Sequence, residues 1–177
     1  MLCLLQILLG WYVADFLSGI YHYVVDNFGT PDTPIFGKQI KDFQLHHINP
    51  EDFLKDTAWS SIQLPLLATI PMLIAAYFIW PCFFVSLGIG LGLSQYFHRC
   101  AHEPNPNPNP IKRVLQRAFI MLPPQEHDRH HSGFKDAYGI VNGWANPFLD
   151  FVFKNFPKRK NTEWIEKLEA EFKNKSS

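Results

Sequence analysis

The chain has 177 residues, with 16 lysines and arginines against 16 aspartates and glutamates. That balance by itself argues neither for nor against nucleic acid or an acidic surface; nucleic acid is not expected as a partner. The three cysteines, Cys3, Cys82 and Cys100, are an odd number without paired spacing, so no disulfide framework and no CxxC zinc site is expected. Mean hydropathy is −0.08, but it averages two unlike parts, one almost uncharged and one carrying nearly all the charge.

In chain order, the first apolar stretch is "MLCLLQILLGWYVADFLSGIYHYVV", residues 1–25. It has no positive leader and no small-residue cleavage site, and it contains Asp15 and His22, so it reads as a retained helix rather than a signal peptide. The second is residues 57–80 and the third residues 82–97, the latter able to continue as helix through His102. About 20 helical residues span a hydrocarbon core of roughly 30 Å. Residues 57–97 contain no Lys, Arg, Asp or Glu, which points to lipid rather than to a buried soluble core. With "WPC" between them, the second and third stretches form a tight helical hairpin.

Every Lys and Arg lies in 38–55 or from 99 onward. The positive-inside rule then places 26–56 and 98–177 in the cytoplasm. All eight histidines (His22, His46, His47, His98, His102, His127, His130 and His131) fall on or beside that face. The segment "EPNPNPNP", 103–110, reads as a stiff surface linker. Residues 111–122 form an amphipathic interfacial helix, and 146–156 lie in the interface in the same way. Residues 151–177 make a polar tail whose end, "KNKSS", resembles a dilysine retrieval signal. The expected fold is therefore all-α and integral to the membrane, one domain over 1–177. It has about three transmembrane helices, interfacial amphipathic helices and a histidine cluster on the cytoplasmic face.

His98 and His102 are four apart, which puts both imidazoles on one helix face within reach of one metal. His22 and Asp26 share that spacing. In "HDRHH", His130 and His131 diverge by about 100° on a helix, so neighbouring histidines suit two different metals, or one metal with the second histidine supporting its ligands from outside; the same holds for His46 and His47. Eight imidazoles are too many for one ion, there is no HExxH, and imidazole alone does not choose among Zn, Cu, Fe and Ni. The count fits two metals in one site. Asp26 is a possible ligand or supports the ligands from outside, or is simply a solvated or capping charge.

Five segments in order, "ADFLSGIYHYVVDNFG", "FQLHHINP", "QYFHRCAH", "QEHDRHH" and "NGWANPFLD", resemble the lipid desaturase family from about residue 14 to 150. That family holds the animal and bacterial plasmanylethanolamine desaturases (the Kua-type proteins) and a plastid phosphatidylglycerol acyl desaturase of plants. The resemblance implies a non-haem di-iron enzyme with the eight histidines as ligands, two iron ions as cofactor and O2 as co-substrate. It matches Asp26 and Asn146 to motif positions, the latter with a turn before Pro147 as its plainer role. It also implies an intact membrane phospholipid as substrate, most nearly plasmanylethanolamine. A small carrier such as a cytochrome or ferredoxin would supply electrons. The compartment would be the endoplasmic reticulum membrane in a eukaryote and the inner membrane in a bacterium. Alternatives are an acyl desaturase of phosphatidylglycerol-type lipids, a di-iron lipid hydroxylase, and a membrane metal- or haem-binding protein without catalysis.

Overall fold

The computed structural model describes residues 1–55, 57–156, 163–167 and 170. Helices run in the order α1 (Leu2–Asn27), α2 (Gly37–Ile48), α3 (Asp52–Lys55), α4 (Ala58–Phe78), α5 (Pro81–Ala101), α6 (Pro110–Arg117), α7 (Pro124–Gly133) and α8 (Asn146–Phe153). Residues 163–167 are helical as well, and no strand occurs among the described residues. The "KNKSS" terminus lies outside the described residues.

The long helices begin and end where local chemistry requires. Thr57 opens α4, its hydroxyl accepting from Ser60 N at 3.2 Å, which satisfies one amide of the first turn. Pro81 occupies the first turn of α5, where its missing N–H costs nothing. Trp80 before it takes a left-handed φ of 43°, turning the chain sharply between α4 and α5. The amphipathic helix expected over 111–122 is shorter: α6 stops at Arg117, because Phe119 turns to φ 52°. The Asn-Pro segment is less of a free linker than expected. Asn109 caps α6 through Ile111 N and Lys112 N, and Asn107 is buried.

α5 is the centre of the bundle, with α4 along one side and α1 along the other. The α1–α5 contact depends on missing side chains. A Cβ on Gly90 would sit 2.6 Å from Ala14 Cβ, and one on Gly10 would strike the Phe83 carbonyl oxygen. Small residues at both positions let the two backbones approach closely, as is common for helices packed in lipid.

α1 and α4 are each long and apolar enough to cross a membrane. Only 28% of the apolar window of α1 and 11% of that of α4 is buried, so neither is the core helix of a soluble fold. Leu64, Leu67, Ile70 and Ile74 instead form an uncovered face on α4. Three spans were expected and two meet the criterion. α5 matches α4 in length, but Ser86, three glycines and Ser94 dilute its apolar character, and its polar end carries His98 and Arg99.

The cysteine reading needs correction. Cys3 and Cys82 form a disulfide with Cα atoms 5.5 Å apart, while Cys100 is free and buried. A separation of 79 residues hides the pair in the sequence. Both cysteines lie in the first turn of their helix, and α1 and α5 run parallel, so the bond staples the end of the bundle opposite the histidines.

Candidate metal centre

Four elements deliver the histidines to one end of the bundle. α1 brings His22 and Asp26, α2 brings His46 and His47, α5 carries His98 in its last turn with His102 as its C-cap, and α7 carries His127, His130 and His131. They sort into two groups. His46, His98, His102, His127 and His131 form one; His22, Asp26, His47 and His130 form the other, and within each group the ligand atoms lie within 4.8 Å of one another. Together they take up all eight histidines. Each adjacent pair is divided as the helical geometry requires: His46 and His131 point into the first group, His47 and His130 into the second.

The first group is a convergence of Nε2 atoms. His127 Nε2 lies 2.6 Å from His102 Nε2, 2.9 Å from His98 Nε2 and 3.0 Å from His131 Nε2. His46 Nε2 lies 2.9 Å from His102 Nε2 and 3.2 Å from His131 Nε2. A neutral imidazole carries one proton, so one Nε2–H on His127 satisfies only one of three neighbours. The remaining lone pairs face each other, a repulsive arrangement that a cation at their common focus converts into coordination.

The second group makes the same case with less freedom. Asp26 Oδ2 is 3.1 Å from His22 Nε2, 3.1 Å from His47 Nε2 and 3.2 Å from His130 Nε2. These are hydrogen-bond lengths, yet His22 Nε2, His47 Nε2, His130 Nε2 and both Asp26 oxygens lack a hydrogen bond. The tautomers explain why. His22 Nδ1–H donates to the Tyr138 carbonyl at 3.0 Å, and His130 Nδ1–H donates to the Asp136 carbonyl at 2.7 Å. A carbonyl only accepts, so each Nδ1 holds the ring proton and each Nε2 presents a lone pair to the carboxylate. Carbonyl partners of this kind fix the orientation of metal-binding imidazoles. Both groups therefore have the donor set of a cation site: five nitrogens in one, three nitrogens and a carboxylate in the other.

The surroundings keep four of the rings outside the apolar helices uncharged. Burial and then the neighbouring imidazoles hold His46 and His127 well below the usual histidine range, His130 at about 4 and His131 at about 2. Neutral imidazoles can coordinate; protonated ones cannot. Phe43 packs edge-on to His22, Phe53 packs against His46, His98 and His102, and Phe134 against His47, which limits water around the rings.

Asn146 is not brought to the histidines as a ligand. Its Oδ1 accepts from Gly139 N at 2.7 Å and its Nδ2 donates to Glu126 Oε2 at 3.3 Å. It ties down the peptide following Tyr138, whose carbonyl orients His22, and the residue preceding His127. The sequence marks Asp15 only as a polar residue in the first helix and assigns it no role; it is fully buried. Its Oδ1 accepts from Val141 N, Asn142 N and Gly143 N at 2.9, 3.0 and 3.1 Å, and its Oδ2 from Ala145 N at 2.8 Å. This carboxylate clamps the 141–145 loop onto α1. An acid inside an otherwise apolar helix is the signal that marks it.

A family model described as the lipid desaturase domain matches residues 11–160. "Fatty acid desaturase 4-like 1, chloroplastic" of Arabidopsis thaliana is 27% identical, covering 92% of this chain and 63% of the relative. "Plasmanylethanolamine desaturase 1" of Mus musculus is 32% identical, covering 85% of this chain and 61% of the relative. A "probable fatty acid desaturase" of Acanthamoeba polyphaga mimivirus is 34% identical over 92% of this chain and 90% of the relative. The chain thus spans about three fifths of the length of the plant and mouse relatives. No solved structure matches.

Proposed function

The chain belongs to the lipid desaturase family, and from that membership we propose that it is a membrane-bound, non-haem di-iron desaturase of an intact phospholipid, of the plasmanylethanolamine type. The observation that carries the reading is the division of eight histidines and Asp26 into two adjoining donor sets, which suits a pair of ions. Imidazole with one carboxylate is a donor set iron accepts. Bound iron supplies the dioxygen chemistry: with O2, two electrons and two protons, two hydrogens leave adjacent carbons and two waters form.

The protein's own contribution is to hold and shield. The Tyr138 and Asp136 carbonyls orient His22 and His130. Buried neutral imidazoles keep their lone pairs directed inward. Phe43, Phe53 and Phe134 restrict water at the rings. Electrons come from a small carrier such as cytochrome b5 or a ferredoxin. The lysine and arginine distribution favours a cytoplasmic histidine end, in the endoplasmic reticulum or a bacterial inner membrane.

The name of the mouse relative supports an ether-lipid substrate; those of the plant and viral relatives support acyl-chain desaturation as the second reading. A haem-binding protein uses two of the histidines and leaves the rest without purpose. A transporter places polar ligands at mid-span rather than at one end.

The test is metal content by mass spectrometry of detergent-purified, iron-grown protein, beside a variant with His98→Ala and His130→Ala. Lipid profiling of cells with and without the gene accompanies it. About two irons per chain, lost in the variant, together with vinyl ether lipids in expressing cells, is the expected result. Double bonds confined to acyl chains select the second reading. Absence of iron, or iron retained without those histidines, overturns the di-iron assignment.

A further inference from the structure

A cavity of about 320 Å³ lies between the Asn-Pro segment, α6 and the start of α7, with Asn105, Arg113, Gln116, Arg117, Phe119 and Pro124 among its lining. Arg113 and Arg117 are four apart and so share one face of α6, toward the cavity. Among the described residues neither has an ion-pair partner. The nearby carboxylate, Glu103, is held instead by Lys112 at 2.6 Å and by Asn107 at 2.6 Å. Two guanidinium groups lining one cavity without a counter-charge make an anion site, and guanidinium matches the oxygens of a phosphate.

The rim of this cavity is apolar. Ile111, Val114, Phe119 and Ile120 are all exposed, on α6 and the turn after it. A soluble phosphate gains nothing from that rim, whereas a phospholipid lying in the membrane interface fits both parts. The cavity also backs onto the metal centre. Gln116 donates to the Cys100 carbonyl at 3.2 Å, between His98 and His102 on α5. Pro124 opens α7 three residues before His127, about 4.5 Å along the helix axis.

We propose that Arg113 and Arg117 bind the phosphate of the membrane phospholipid substrate and so set the distance from headgroup to metal centre. The inference rests on the reading that the substrate is an intact phospholipid. It accords with an ether-lipid substrate, because a vinyl ether forms at the two carbons next to the ether oxygen, only a few bonds from the phosphate. A headgroup anchor beside the metal centre selects that end of the chain.

The experiment measures ligand-induced thermal stabilisation of the iron-loaded protein in detergent. The probes are dihexanoyl phosphatidylethanolamine, dihexanoylglycerol, which lacks the phosphate, and inorganic phosphate. The variants are Arg117→Gln, an exposed position that leaves folding intact, and Arg113→Gln with Arg117→Gln. The phosphate-bearing lipid should stabilise the wild type and dihexanoylglycerol should not. Its apparent affinity should fall at least about tenfold in the double variant, which keeps its iron. Equal stabilisation by dihexanoylglycerol, or an affinity unchanged in both variants, overturns the proposal. Stabilisation by inorganic phosphate as strong as by the lipid overturns it in favour of a free-anion site. Because binding is read and iron is counted separately, failure here leaves the di-iron reading standing, and loss of iron in the wild type sinks that reading alone.

Discussion

Replacing Asp15 by asparagine changes one acceptor oxygen into a donor and leaves the shape of the side chain intact. Oδ1 takes three backbone amides and Oδ2 takes that of Ala145 at 2.8 Å. The asparagine oxygen best replaces Oδ1, which leaves its NH2 facing the Ala145 amide. One buried donor loses its partner and meets a second donor. An unsatisfied buried group costs about 1–3 kcal/mol. For a chain of this size each kcal/mol lowers the melting temperature by roughly 2–4 °C, so the expected drop is roughly 2–12 °C. Asp15→Ala orphans all four amides, and the sum approaches the whole margin of about 5–15 kcal/mol that holds a domain folded. Thermal unfolding in detergent, followed by helical circular dichroism, measures both. A graded loss, with Asp15→Ala far worse than Asp15→Asn, is the expected pattern. Melting of both variants indistinguishable from wild type would refute the claim that this carboxylate clamps the 141–145 loop.

Acid should weaken the fold and the metal site together. His130 at about 4 and His131 at about 2 lie below the ordinary value of 6.5, so the unfolded chain binds protons that the folded one refuses. Their contribution is complete above pH 6.5 and is lost progressively as pH falls from 6.5, toward 4 for His130 and on toward 2 for His131; melting temperature and bound metal should decline as pH falls below 6.5, and a flat profile between pH 7 and 5 counts against the buried, neutral imidazoles. Thiol counting tests the staple between α1 and α5. The denatured chain should expose one reactive thiol without reductant, Cys100, and three after reduction; three in both conditions means Cys3 and Cys82 are unpaired.

The histidine site was largely legible because helix geometry constrains it so strongly. Spacing of four puts His98 with His102 and His22 with Asp26, and adjacency forces His46 from His47 and His130 from His131. What spacing cannot supply is the partner from another helix. That the neighbours of His102 include His46 and His127 follows from packing, not from local pattern. The Cys3–Cys82 pair escaped for the same reason, since both ends sit in apolar helices 79 residues apart. The hairpin of α4 and α5 was readable from its lack of charge and from Trp80–Pro81, whereas the early end of α6 depends on the backbone turn at Phe119. Asp15 was visible as an anomaly, but its role required knowing which loop folds back over α1.

The glycine contact between α1 and α5 has a geometric consequence. Ala14 touches the backbone at Gly90, and His22 and His98 each lie eight residues further along their own helix. Two parallel rods thus touch closely at Gly90 and carry a ligand apiece about 12 Å below it. His22 serves one donor set and His98 the other, their rings 5.6 Å apart. The pair stands like the legs of a drawing compass, held close at Gly90 and Gly10 and pinned above by the disulfide. The gap between the two donor sets at one end of the molecule is thereby gauged by the thickness of a hydrogen atom where a side chain would otherwise stand, deep in the apolar half.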